Sequence, residues 1–270
     1  GRARESPEMN LQPLVGKPVL MVHGKETAAV IGDLHIGIES HLRWKGFHIT
    51  SRTEQMLRDI SVLSEQASRL ILLGDVKHRV PGTTRQELEE LPGFFRALCQ
   101  AFDRVDLVKG NHDGNIEDHI DSDVHVHPPG GMVWGEAGFV HGHTWPSAPV
   151  MACPHLVMAH NHPTVMFHDG VGKRTSEPCW LRGSFQDGGS RYLQHPRSFM
   201  LMPAFNPILG GSPVNVEGES LLGPVMNSGM PDLDDARIYL LDGIQLGRRA
   251  DLMVSGRMQR RRQRYEERSI

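Results

Sequence analysis

The first half of the chain alternates two hydrophobic rhythms: short apolar runs that close on a glycine and a polar residue, and between them apolar positions at helical spacing. "KPVLMVHGKETAAVIGD" (17–33) reads as a hairpin turning at His-Gly-Lys-Glu, its second strand closing on Gly32-Asp33. From Ser51, "SRTEQMLRDISVLSEQASR" offers a capping box, Ser51 with Glu54, and sets Met56, Ile60, Leu63 and Ala67 on one helical face. "RLILLGD" (69–75) is almost wholly apolar, the mark of a strand covered on both faces, and closes on Gly74-Asp75. A second capping box, Thr84 with Glu87, opens a helix to about Phe102 that Pro92 should kink or split. "RVDLVKGN" (104–111) is the third strand. Strand, helix, strand, helix, strand predicts a parallel, right-handed α/β unit.

Beyond Asn115 the helical rhythm fades. Short apolar runs take over in "GFVHG", "HLVMAH", "TVMFHD", "CWLRGSF", "SFMLMPAF" and "RIYLLDG", which predict a second, more antiparallel sheet. Residues 204–235 are rich in Gly and Pro yet carry many apolar side chains, so a packed irregular loop is expected there. The expected division is one domain over 1–255 followed by an Arg-rich tail, 256–270, with six arginines against two glutamates.

Composition narrows the function classes. With 270 residues, 39% of them hydrophobic, the chain can bury a large core, and a soluble globular protein is expected. No run suits a membrane span or a signal peptide, so a cytoplasmic location is the expectation. Cys99, Cys153 and Cys179 form no C-x-x-C pair, which argues against a disulfide framework or a thiolate metal site. A net charge of −3 gives no global attraction for nucleic acid. The sixteen histidines stand out.

Many of those histidines follow strands. The three early strands deliver Asp33-x-His35, Asp75, and Asn111-His112-Asp113 at their carboxyl ends, and in an open α/β sheet those ends converge on one crevice. His141 in "FVHGH" and the pair His160 and His162 in "MAHNH" also follow apolar runs. Gly-Asn and Asp-Gly are ordinary turn dipeptides, and a lone histidine after a strand is usually a satisfied surface or core residue. Seven nitrogen and oxygen donors in this order, Asp33, His35, Asp75, Asn111, His141, His160 and His162, are a different matter. Without sulfur they suit Mn²⁺, Fe²⁺ or Zn²⁺, and two ions about 3.5–4 Å apart would share one bridging carboxylate.

Together "GDLHIG" (32–37), "GDVKH" (74–78), "GNHD" (110–113), "VHGH" (140–143) and "HNH" (160–162) resemble the motifs of the calcineurin-like metallophosphoesterase superfamily. The likeness spans roughly 18–254. Within that superfamily, "GDLHIGIESHLRWKG", "GDVKH" and "MPAFNPILGG" resemble an archaeal family related to SbcD-type nucleases, and bacterial phosphoesterases encoded beside a DNA ligase. The resemblance implies a sandwich of two mixed β-sheets flanked by helices. It assigns Asp33, His35, Asp75 and His162 to one metal and Asp75, Asn111, His141 and His160 to the other, with Asp75 as the bridge.

By the same resemblance His112 is the general acid, Asp113 orients it, and His78 touches the scissile phosphate. His143 has no ligand counterpart. The implied reaction is hydrolysis of a phosphodiester by in-line attack of a water activated between two divalent ions, Mn²⁺ first among them. The substrate reading is DNA, single-stranded or flexible, since the capping domain and ATPase-binding segment of SbcD-type nucleases find no counterpart here. Hydrolysis of a small nucleotide or metabolite ester is the alternative. A DNA-repair helicase or ligase is the implied partner, and a homodimer is open. Arg43 and Arg52 offer phosphate contacts, although a solvated helix flank explains them as well; the Arg-rich tail offers nonspecific contacts to nucleic acid, although a frayed, charged helix end is the plainer reading.

Overall fold

The computed structural model describes residues 9–120, 123–169, 173–186 and 191–255. Its first sheet has six strands, β1 (Asn10–Pro13), β2 (Leu20–His23), β3 (Thr27–Ile31), β4 (Arg69–Leu72), β5 (Arg104–Val108) and β6 (Val124–His127), hydrogen-bonded in that order. β3 to β6 run parallel, and β1 and β2 add antiparallel edges. The second sheet contains β7 (Met132–Trp134), β8 (Ala137–Val140), β9 (His155–Met158), β10 (Pro163–His168), β11 (Arg174–Ser184), β12 (Ser198–Leu201), β13 (Ser212–Pro213), β14 (Arg237–Leu240) and β15 (Gln245–Arg248). Helices α1 (Ile38–Trp44), α2 (Thr53–Ser61), α3 (Arg85–Ala101) and α4 (Ala148–Met151) complete it.

Strand alternation splits the core into layers. Leu20, Val22, Ala28 and Val30 face Val157, Trp180 and Met200 of the second sheet. Met21, Ala29 and Ile31 face the other way, onto Met56 and Ile60 of α2 and Phe94 and Phe95 of α3. The outer face of the second sheet, through Leu156, Leu181 and Leu201, is covered by Val214, Leu221, Val225, Met226 and Met230. The apolar residues of the 204–235 segment therefore close a third layer. The result is a sandwich of two mixed sheets.

Two local expectations need correction. Ser51 does not form a capping box with Glu54: the N-cap of α2 is Arg52, and the Ser51 hydroxyl accepts from the Thr53 N–H (3.2 Å) and donates to Glu90 (3.0 Å). α3 does carry the Thr84–Glu87 box, but Pro92 does not split it: one helix runs from Arg85 to Ala101. Proline frees the carbonyl of residue 88 on an exposed face, while Leu91, Phe94, Phe95 and Leu98 anchor the buried one. The second sheet is the more antiparallel of the two, as expected: β7–β8, β10–β11, β11–β12, β11–β14 and β14–β15 pair antiparallel, while β8–β9, β9–β12 and β10–β13 run parallel. The Arg-rich tail, 256–270, lies outside the described residues.

Away from the crevice, the Asp106 carboxylate of β5 is buried and takes Arg69 Nε at 2.8 Å, Arg104 Nε at 3.0 Å and His127 Nε2 at 2.7 Å. Burial alone would raise its pKa, but hydrogen bonds from His127, Arg104 and Arg69 hold it well below the usual carboxylate range. The Arg69 guanidinium also lies 4.9 Å over the Trp134 ring, tying the first sheet to β7.

Candidate metal centre

Each ligand-bearing loop begins where an apolar strand ends, and the loops lace together before any side chain is considered. Asp33 N–H donates to Gly74 O (3.1 Å), His35 N–H to Asp75 O (2.9 Å) and Ile36 N–H to Val76 O (2.8 Å). Asp33, His35, Asp75, His160 and His162 all have positive φ, between 43° and 70°. That region is uncommon outside glycine, although Asn, Asp and His enter it most readily. The glycines leave room. A Cβ on Gly74 would lie 2.5 Å from His141 Nδ1, and one on Gly110 would lie 2.2 Å from Asp75 Oδ1.

Two triads of donor atoms result, Asp33 with His35 and His162, and Asp75 with His141 and His160, each within 4.8 Å of one another. His35 Nε2 stands 3.4 Å and His141 Nε2 3.2 Å from Asp75 Oδ2, and His162 Nε2 3.2 Å from Asp33 Oδ1. A third group, His35, His78 and His112, adjoins the first, with the Nδ1 atoms of His35 and His78 3.2 Å apart. Asn111 sits at the same β5 turn with an exposed side chain. His143 lies beside the second triad, its ring 5.3 Å from His141 and its Nδ1 buried without a partner.

The electrostatics are those of a site built for cations. Burial pushes His35 down to about 3 and His160 to about 4, so both are neutral donors at pH 7. Burial also acts on His141, but Asp75 and Asp33 overcome it and raise the ring to about 9. Asp75 itself is held below the usual carboxylate range by the surrounding histidines, against the opposing effect of burial. Asp33 Oδ1, His35 Nε2 and His141 Nε2 are buried and form no hydrogen bond of good geometry, although each has a group of the other kind 3.2–3.4 Å away. Such orphans are costly unless something binds them. Three of them aimed into one space, in a wholly nitrogen and oxygen donor set, fit divalent metal ions.

Asp113 requires correction. Its buried carboxylate accepts the backbone N–H groups of Asp75 (2.7 Å), Val76 (2.8 Å), Lys77 (3.3 Å) and Gly110 (2.8 Å), and so pins the β4 turn to the β5 turn. Orientation of His112 comes instead from the His78 carbonyl, which bonds its Nδ1. Arg43 is likewise committed, to Ile49 O, Ser40 Oγ and Gln86 Oε1.

Several supporting residues carry no motif of their own. Glu87, the capping-box glutamate of α3, also accepts from His78 N (2.8 Å) and Arg79 N (2.7 Å). Lys77 is buried and donates to Arg79 O and Gly82 O, closing the same loop. Asn206, buried in "MPAFNPILGG", donates to Leu34 O (2.8 Å) between the first two ligands, and Gly210 O meets His162 Nδ1 (3.2 Å). His41 of α1 stands with its ring 5.5 Å from that of His78. The spacing of acidic residues at a helix start marks Glu87 as a cap only, and an asparagine before a proline reads as a turn.

The model of the calcineurin-like phosphoesterase family matches residues 27–191, more than half of the chain and all of the ligand-bearing strand ends. The chain belongs to the calcineurin-like phosphoesterase family. It is a metal-dependent phosphoesterase. Among solved structures this phosphoesterase is similar to nuclease MPE of Pseudomonas putida, at 18% identity and a TM-score of 0.48 over 86% of this chain and 96% of that one. It is also similar to Yfce, a phosphoesterase from E. coli, at 15% identity and a TM-score of 0.37 over 82% and 96%. A Vps29 double mutant from Entamoeba histolytica aligns at 14% identity and a TM-score of 0.30, over 68% and 79%. No curated protein matches the chain. Among the described residues, no helix is long and apolar enough to cross a membrane.

Proposed function

We propose that this phosphoesterase is a two-metal phosphodiesterase acting on nucleic acid, with single-stranded DNA as its substrate class and Mn²⁺ as its metal, akin to the SbcD-related nucleases. One observation carries the choice of a polymer. From the metal triads a file of rings leads outward: His112 to His78 at 5.7 Å between centroids, His78 to His41 at 5.5 Å, and His41 to Trp44 at 6.5 Å. The file ends on Trp44, 84% exposed, and Phe47, three residues further along the chain, is 58% exposed. Exposed aromatic faces beside a phosphate-binding site suit unstacked bases, and each base stacked on such a face contributes about 1–3 kcal/mol.

Asp33, His35 and His162, and Asp75, His141 and His160, would hold divalent ions, which would supply positive charge to the phosphoryl oxygens and lower the pKa of the attacking water. The chain's own part concerns the leaving group. A backbone carbonyl only accepts, so Nδ1 of His112, bonded to His78 O, keeps its proton in either charge state. Nε2 is then the atom that exchanges one. It lies on the Asp75 side, 4.0 Å from Oδ2, where it can protonate a departing sugar alkoxide. His78, half-buried beside it, and Glu87, which fixes the His78 backbone, position that acid.

The alternative, a small phosphoester as substrate, draws on the net charge of −3, which offers a polyanion no long-range attraction. Cleavage of labelled single-stranded DNA and of bis-p-nitrophenyl phosphate, by metal-stripped protein resupplied with Mn²⁺, separates the two. His112→Ala should cost about 10²–10⁴-fold on DNA and far less on the nitrophenyl ester, whose leaving group needs no proton. Trp44→Ala should weaken DNA cleavage about tenfold and leave the ester rate unchanged. Equal effects of Trp44→Ala on both substrates, or cleavage of the ester alone, would give the site to a small ester.

A further inference from the structure

A second cavity of about 520 Å³ lies at the opposite edge of the sandwich, between β1 and the amino-terminal ends of β9, β12 and β14. The ligands follow the carboxyl ends of β8 and β9, so this cavity is separate from the metal centre. Its polar lining breaks the alternation that builds the interlayer core. On β11 the buried Trp180 is followed on the same face by Arg182, and on β14 Arg237 precedes Tyr239. On β12 Ser198 shares its face with Met200, and on β9 His155 shares its face with Val157. Positions that continue an apolar face are thus occupied by two arginines, a serine and a histidine. Met9, Leu11 and Met200 supply an apolar wall.

The two arginines are direct cross-strand partners, Arg182 opposite Arg237. Like charges so placed repel. The next arginine in the row shows how the fold deals with such a charge: Arg248, opposite Arg237 on β15, is paired with Asp251 at 2.9 Å and with Asp235 at 3.8 Å. Among the described residues neither Arg182 nor Arg237 has a carboxylate partner, and the Arg182 guanidinium has only the Tyr239 ring, 5.5 Å away. Beside them the Ser198 hydroxyl and His155 Nδ1 are hydrogen-bonded at 2.8 Å; with the proton on Nδ1 the ring donates to Ser198 Oγ and leaves the hydroxyl proton free for a ligand.

We infer that this cavity binds a phosphomonoester with an apolar or aromatic body. Its charge of about −1.5 to −2 at neutral pH matches two guanidiniums, which chelate phosphate oxygens through paired N–H groups. Ser198 and His155 complete the phosphate contacts, and the body lies against Met9, Met200 and Tyr239.

The test is calorimetric titration of phenyl phosphate, with inorganic phosphate in parallel, into the full chain stripped of metal and desalted from the chelator. Wild type should bind phenyl phosphate several-fold more tightly than inorganic phosphate, and less tightly as salt rises. Arg182→Ala/Arg237→Ala, and separately Arg237→Gln, should weaken phenyl phosphate about tenfold or more, while activity of the metal-loaded variants on bis-p-nitrophenyl phosphate stays within about twofold. Phenyl phosphate should raise the thermal midpoint of wild type but not of Arg237→Gln. Undiminished binding in the double variant, which would place the ligand at the histidine cluster, overturns the proposal, as does an absence of binding to wild type at millimolar concentration.

Discussion

Asp113→Asn removes one formal charge with almost no change in shape, and the geometry fixes what else it removes. One carboxylate oxygen takes the N–H groups of Asp75 and Gly110, the other those of Val76 and Lys77. An amide keeps one acceptor oxygen and sets an NH₂ group against the remaining two N–H donors. Two hydrogen bonds to a charged group are lost, each at about 1.5–3 kcal/mol, so a total of about 3–6 kcal/mol is expected. For a chain of this size that lowers the thermal midpoint by roughly 10 °C. Because Asp75 and Gly110 ride on those turns, kcat with Mn²⁺ should also fall, on the order of 10²-fold for a displacement near 1 Å. Urea unfolding of the metal-free proteins isolates the stability term. If Asp113→Asn unfolds within about 0.5 kcal/mol of wild type and yet loses turnover with poor leaving groups, Asp113 serves His112 after all and the backbone-clamp account is refuted.

Chelation should lower the thermal midpoint by roughly 5–10 °C, since ligands at about a hundred times Kd stabilise by about 2.7 kcal/mol; an unchanged midpoint with EDTA would remove the triads as metal sites. Gly110→Ala drives a Cβ to 2.2 Å from Asp75 Oδ1 and should abolish most metal-dependent turnover, about 100-fold or more, whereas wild-type kinetics in that variant would show the turn to be compliant. Asp106→Asn leaves the buried Arg69 without its anion and should cost about 3–5 kcal/mol at pH 7. The folded pKa of Asp106 is depressed, so its contribution is fully present above about pH 4 and fades as pH falls toward the folded value; urea midpoints of the two proteins must therefore converge in acid.

What could be read from the sequence follows from locality. Strands β3, β4 and β5 and helix α3 were legible because apolar runs, a capping box and a glycine at each strand end lie within a few residues. The residues of the two donor triads stood out for the same reason, since they follow the ends of β3, β4, β8 and β9 within a few positions. The parallel centre of the second sheet was not. β8 reaches β9 through a single helical turn, α4, and β9 reaches β12 only after the β10–β11 hairpin has passed, so no regular strand and helix alternation marks it. The roles of Asp113 and Asn206 were hidden because their partners are 36 and 172 residues away in sequence, at Lys77 and Leu34. A side chain in a turn motif looks the same whether it serves its neighbour or a distant loop.

The left-handed backbone at Asp33, His35, Asp75, His160 and His162 gives these positions two masters. Aspartate, asparagine, histidine and glycine are the residues that enter this conformation at least cost, and the first three are also oxygen or nitrogen donors. A library randomised at these five codons and selected only for folded, protease-resistant protein, with no metal and no substrate, should still return those four residues and reject valine, isoleucine and threonine. Half of the alphabet of a metal site would thus be retained by the chain's shape alone, which makes this edge of the sandwich a place where a new coordination sphere can arise in few steps.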